Sequence, residues 1–210
     1  MEDSLPYVIT ISRQLGCGGA YIGQLLAREL NIFYLDREIL SQAAQEFSLS
    51  EEDLEEYDEK ADTLWQSVQR SVFSNPYIYV APKLYVPSGH QLFAAEAEII
   101  ERTAQERSAV IIGRCASYVL REHPRHLSVF LHSDIDFRKG RVQELYNLSE
   151  KEALRMIVET DSARSQYYHE YTGDQWKDAT QYVLCIDTGK MGVDHSAELI
   201  MKAIETRIGA

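Results

Sequence analysis

Residues 8–23 read Val-Ile-Thr-Ile-Ser-Arg-Gln-Leu-Gly-Cys-Gly-Gly-Ala-Tyr-Ile-Gly, a short β-branched run joined to a helical pattern through a glycine-rich turn. Such a junction constrains the chain toward an open α/β sheet, in which ligands bind beyond the carboxyl ends of the strands. Glycine lets the main chain approach an anion closely, and the first amides of a helix have no partner within it. Gly16, Cys17, Gly18, Gly19, Ala20 and Tyr21 therefore form a candidate phosphate cradle. A tight strand-to-helix turn that binds nothing has the same glycines. The usual ending of a phosphate loop, Gly-Lys-Ser/Thr, is absent, because Gly18-Gly19-Ala20 stands there. Arg13 at the loop entry is the candidate replacement for the missing charge, unless it projects outward.

Strand and helix signals alternate along the rest of the chain, which favours a parallel sheet covered by helices. Strands are expected at residues 7–12, 32–35, 109–113, 127–132 and 182–188. Ile22, Leu25, Leu26 and Leu30 recur at helical spacing after the loop, and Phe93, Ala97, Ile100 and Ala104 do so within residues 91–107. Further helices are expected at about 135–146, 149–168 and 197–208. Asp36 is a plausible N-cap for a helix reaching about Phe47, and Ser50-Glu51-Glu52-Asp53 reads as a capping box. Pro76, Pro82 and Pro87 break both periods between residues 74 and 89, as expected of an irregular stretch in an inserted lobe.

Composition narrows the function classes. The net charge of −12 over 210 residues comes with no lysine or arginine cluster, against a nucleic-acid binder. The three cysteines form no CxxC pair, so free thiols are expected rather than disulfides or a zinc site. No apolar run approaches the roughly 20 residues that cross a bilayer. The acidic N-terminal residues do not read as a signal peptide. A cytoplasmic location is the expectation.

The remaining candidates are mostly arginines. Asp36-Arg37 follows the second strand, and Gly113-Arg114 ends the third, where a planar guanidinium suits bidentate anion contacts. Arg37 is equally readable as the neighbour of a helix cap. Arg138 and Arg141 lie three apart on one helix, and Arg164 lies on the next, near Asp161. With the polar aromatic segment 167–176 they can form a lid over transferring phosphates, or equally a solvated helix pair. None of the six histidines has metal-ligand spacing with another, and His123 and His126 read as loop residues without a role.

Taken together, several segments resemble the cytidylate kinase-like family, relatives of bacterial cytidylate kinase among the P-loop nucleoside monophosphate kinases. They are residues 11–19, Tyr34-Leu35-Asp36-Arg37-Glu38-Ile39-Leu40, Tyr57-Asp58-Glu59-Lys60 and residues 110–116. The pattern continues with Asp161-x-x-Arg164-x-x-Tyr167-Tyr168, then Tyr171-Thr172-Gly173 with Trp176, and Cys185-Ile186-Asp187-Thr188. The resemblance implies a P-loop NTPase three-layer α/β fold with a five-stranded parallel sheet. It also implies one domain with a helical monophosphate-binding lobe inserted at about residues 37–107 and a lid near 140–175. Further implied is transfer of the γ-phosphoryl of ATP, with Mg²⁺, to CMP or a related nucleoside monophosphate. By the same resemblance, residues 16–21 hold the donor, Arg13, Arg138, Arg141 and Arg164 stabilise the transferring charge, and Asp36, Arg37, Arg114 and Asp161 hold the acceptor.

The chain departs from this pattern where charge matters. True cytidylate kinases carry the loop lysine where Gly19 stands; relatives with glycine there usually supply arginine at the position of Ala20 and tend to carry a basic residue at that of Glu159. Neither Ala20 nor Tyr21 offers a small hydroxyl as a metal ligand, and no metal-binding residue is assigned. Two readings follow: an active pyrimidine monophosphate kinase with relocated cations, or a catalytically degenerate P-loop protein binding a nucleotide or other phosphorylated ligand as a sensor or partner module. A Rossmann dinucleotide enzyme is disfavoured, because Gly16-x-Gly18-Gly19 is not Gly-x-Gly-x-x-Gly and Arg37 follows at once on Asp36.

Overall fold

The computed structural model describes residues 6–36, 40 and 90–208. Arg37, the capping box at 50–53, the 57–60 motif, the irregular stretch 74–89 and most of the expected inserted lobe lie outside them. The elements are β1 (Val8–Arg13), α1 (Gly19–Glu29), β2 (Phe33–Leu35), α2 (His90–Glu106), β3 (Ala109–Ile112), α3 (Ala116–Val119) and β4 (His126–His132). They continue with α4 (Ile135–Tyr146), α5 (Glu150–Thr172), a 3₁₀ turn (Ala179–Gln181), β5 (Leu184–Asp187), α6 (Thr188–Met191) and α7 (Val193–Ile208).

The strands form one parallel sheet in the order β2-β3-β1-β4-β5. Their two-residue period sorts the side chains into two layers. Ile9 and Ile11 of β1, Val110 and Ile112 of β3, and Leu127, Val129 and Leu131 of β4 face α1 and α7, meeting Ile22, Leu26, Ile200 and Ile204. Val8, Ala109 and Ile111 turn the other way, toward Ile100 and Ala104 of α2 and Leu120 after α3. Burying each such isoleucine or leucine contributes about 1.5–3 kcal/mol. Because β1 is central, the loop that follows it emerges at the middle of the sheet's carboxyl edge.

The helix expected over 149–168 runs on to Thr172 as α5 and stops at Gly173, whose φ of 75° and N–H hydrogen bond to the His169 carbonyl close the end. Tyr167, Tyr168 and Trp176 are buried with Phe130 and Tyr182, so these rings form core. One expectation is corrected: His126 is not a loop residue. It opens β4 opposite Val8, and its Nε2 lies 2.8 Å from Thr10 Oγ1 in the sheet interior. Burial lowers its pKa to about 4.

Candidate functional site

Gly16 and Gly18 both adopt left-handed backbone, with φ of 89° and 76°. At Gly16 a β-carbon would stand 2.8 Å from the Arg138 carbonyl oxygen, so the turn packs against α4 main chain and admits no side chain. Gly18 caps α1 with no side-chain hydrogen bond, and the first turn carries no acidic residue. No side chain caps this end among the described residues, and the positive end of the helix there favours an anion. The Cys17 thiol is buried in the core and pushed up to about 12 by desolvation, and its amide donates to the Gln14 carbonyl at 3.4 Å. The Tyr21 side chain is turned to α7, its hydroxyl donating to Asp194 Oδ1 at 3.0 Å.

Four arginines converge on this loop, in two ways. Arg13 lies along it, and a β-carbon at Gly19 would stand 2.7 Å from its Cγ. Its guanidinium carbon is 3.5 Å from the corresponding position at Gly113, beyond β3. The side chain thus spans the loop and the carboxyl end of the neighbouring strand. Arg141 approaches from α4: its Nη2 is 3.6 Å from where a β-carbon at Gly18 would lie, and its buried Nε has no hydrogen-bond partner among the described residues.

Arg138 and Arg164 instead hold the loop's backbone. Arg138 Nη1 donates to Asp161 Oδ2 at 2.7 Å and to the Leu15 carbonyl at 3.3 Å, while Nε donates to the Ser133 carbonyl at 3.1 Å. Asp161 completes the bracket by accepting the Leu15 amide at 2.8 Å. Both residues of this ion pair are buried. Arg164 Nη1 donates to the Arg13 carbonyl at 2.8 Å. Glu159 is exposed and pairs with Arg155 at 4.0 Å.

On the acceptor side, Asp36 follows β2 and its carbonyl accepts the Leu40 amide at 3.0 Å. Arg114 sits at the end of β3 within three successive left-handed residues, Gly113, Arg114 and Cys115, with φ of 76°, 52° and 54°. Non-glycine residues enter that region at a cost of order 1–3 kcal/mol, and such strain concentrates at functional sites. The guanidinium is buried, 3.2 Å from Glu96 Oε1 and 5.1 Å from the centre of the Tyr167 ring. Glu96 was not among the expected site residues. Its signal was a carboxylate between Phe93 and Ile100, on the otherwise apolar face of α2.

The bare helix start and the orphaned Arg141 Nε fit a polyphosphate. Among the described residues no group of three or more His, Cys, Asp or Glu gathers to hold a metal ion. Ala20 has no hydroxyl to offer, so the loop supplies no side-chain ligand for Mg²⁺. No described helix is long and apolar enough to cross a membrane.

Comparisons with known proteins agree with this architecture. Among solved structures, an uncharacterized protein from Eubacterium ventriosum superposes with a TM-score of 0.72 at 27% identity, over 96% of this chain and 99% of that one. A gluconokinase from Sinorhizobium meliloti (TM-score 0.52, 11% identity, 96% and 95% covered) and a shikimate kinase from Bacteroides thetaiotaomicron (0.51, 14%, 95% and 98%) share the fold. The α/β fold is thus shared with these two kinases. Cytidylate kinases from Thermococcus sibiricus and Sulfurisphaera tokodaii are 27% and 20% identical. The first alignment covers 94% of this chain and 88% of that protein; the second covers 92% of each. The profile of the cytidylate kinase-like family matches residues 8–190, and with its glycine loop, strand order and Gly113-Arg114 turn in place, the chain belongs to that family.

Proposed function

We propose that this protein is a nucleotide kinase that transfers the γ-phosphoryl of ATP to CMP or a related nucleoside monophosphate. The observation that carries the reading is the course of Arg13. Its stem lies where the side chain of a loop lysine would start, and its guanidinium lies between the loop and the Arg114 turn. A cation there would face the phosphoryl group in transit between donor and acceptor. Phosphoryl transfer asks the protein for alignment and charge compensation more than for covalent chemistry.

In this reading the amides of residues 16–21 hold the donor phosphates and Arg141 covers them from α4. Arg13 balances the charge of the transferring group. Arg138, Asp161 and Arg164 keep the loop in its anion-binding shape. Asp36, Arg37 and Arg114 serve the acceptor. Mg²⁺ would supply further charge neutralisation when bound with the donor, and residues 16–21 offer it no side-chain ligand.

A second reading, nucleotide binding without turnover, draws support from one specific feature: at Ala20 the loop has neither the hydroxyl nor the cation of an active kinase. A coupled assay with ATP, Mg²⁺ and a panel of monophosphates separates the two, run beside calorimetric titration of the same nucleotides. Turnover of a pyrimidine monophosphate above background supports the kinase. Binding with no turnover on any acceptor favours the second reading, and the absence of both removes each.

A further inference from the structure

Glu96 has no counterpart in the reading above, yet its side chain is the most deeply enclosed carboxylate described, with 0% exposure beside Arg114 at 5%. A buried ion pair is a poor device for stability alone, because desolvation offsets most of the attraction and apolar residues of the same volume do as well. This one stands at the carboxyl end of β3, in the crevice where open parallel sheets bind ligands. It grips a residue whose backbone is already held in a costly conformation.

The surroundings show what Glu96 connects. Its Oε1 meets Arg114 Nε, and its Oε2 accepts the Tyr167 hydroxyl at 3.0 Å. Tyr167 in turn presents its ring face to the Arg114 guanidinium. One helical turn back on α2, Phe93 stacks on Tyr171 of α5 at 4.2 Å between centroids, and His90 meets Tyr171 edge-on at 5.2 Å. Residues 90, 93 and 96 thus form one stripe on α2, packed against residues 167 and 171 of α5. Glu96 is the charged end of that stripe.

We propose that Glu96 is a positioning residue for the acceptor nucleotide: with Tyr167 it fixes the Arg114 guanidinium to receive the acceptor's phosphate, and through the same contacts it ties α2 to the helix that carries Asp161 and Arg164. The inference rests on the proposed binding of a nucleoside monophosphate. Arg114 Nε faces Glu96 as an ion pair rather than through a hydrogen bond, and the guanidinium lies over the Tyr167 ring, so these contacts narrow its orientations before the phosphate arrives and lessen the ordering cost of binding.

The test uses the full chain, with CMP and ATP titrated separately by calorimetry and initial rates measured in parallel. Glu96→Gln keeps the shape and removes the charge, and Tyr167→Phe removes only the hydroxyl. Each is expected to weaken CMP binding, or raise its KM, about tenfold, with ATP affinity within twofold of wild type. In an Arg114→Ala background, Glu96→Gln is expected to cause no further loss, because its effect passes through Arg114. Circular dichroism confirms that the variants fold. Unchanged CMP affinity in both single variants, or equal loss for CMP and ATP, overturns the positioning role while the kinase reading stands. Wild-type protein that neither binds nor phosphorylates any monophosphate overturns both, and that outcome is seen before any variant is made.

Discussion

Arg13 and Gly19 are sterically exclusive neighbours: a β-carbon at 19 would come within 3.1 Å of Arg13 Cβ and 3.4 Å of its Cδ, as well as crowding Cγ. The glycine at the position of the family's lysine is therefore more than a deletion of charge, since it makes room for a cation from β1. Arg13→Ala is expected to lower kcat by about 10²–10³-fold, the usual scale for removing one transition-state contact. Gly19→Lys alone is expected to lower activity, and Gly19→Lys with Arg13→Ala to recover part of it. Initial-rate measurements on the three variants check the exchange; full activity in Gly19→Lys alone contradicts it.

Arg138 and Asp161 determine whether the loop keeps its shape. Asp161→Ala strands a buried guanidinium and the Leu15 amide, and is expected to destabilise the fold by about 3–5 kcal/mol. Urea denaturation measures this. Asp161→Asn, which preserves the amide's acceptor, is expected to cost less. A substitution that left stability intact while abolishing only CMP binding would return Asp161 to the acceptor site.

Arg141 differs, because its buried Nε serves no protein acceptor among the described residues. Arg141→Ala is expected to cost little stability and to weaken ATP binding by about 10–100-fold, the equivalent of a charge-assisted hydrogen bond of about 1.5–3 kcal/mol. Thermal shift with and without ATP reads both quantities on one sample.

His126 makes stability depend on pH. Its pKa is lowered by burial to about 4, below the unfolded value near 6.5, so between these limits the unfolded chain binds the extra proton. The contribution is fully present above pH 6.5 and is lost as pH falls toward 4. From pH 7 to pH 5 the loss is about 2 kcal/mol. Chemical denaturation at both values, compared with His126→Gln, checks it: the variant is expected to show a shallower fall.

The strands, the glycine loop and the amphipathic helices were legible in the linear pattern, because each is governed by neighbours a few residues apart: β-branched runs, a 3.6-residue stripe, glycines at a turn. The P-loop resemblance followed from the same local motifs. The roles of the arginines were not legible in this way. Arg138, Arg141 and Arg164 looked alike along the chain, yet one is sealed against Asp161, one reaches Gly18 and one holds the Arg13 carbonyl.

Local order, then, was written into the amino-acid sequence, since helix periodicity, strand alternation and turn chemistry depend on short-range sterics and burial. Only the tertiary structure decided which charge meets which. The contacts that shape the site join residues 146 and 151 positions apart, Leu15 with Asp161 and Arg13 with Arg164, and others join separate elements, as Arg114 meets Glu96. A guanidinium's task is set by the partner and the degree of desolvation that folding imposes on it, and neither is a property of its neighbours in the chain.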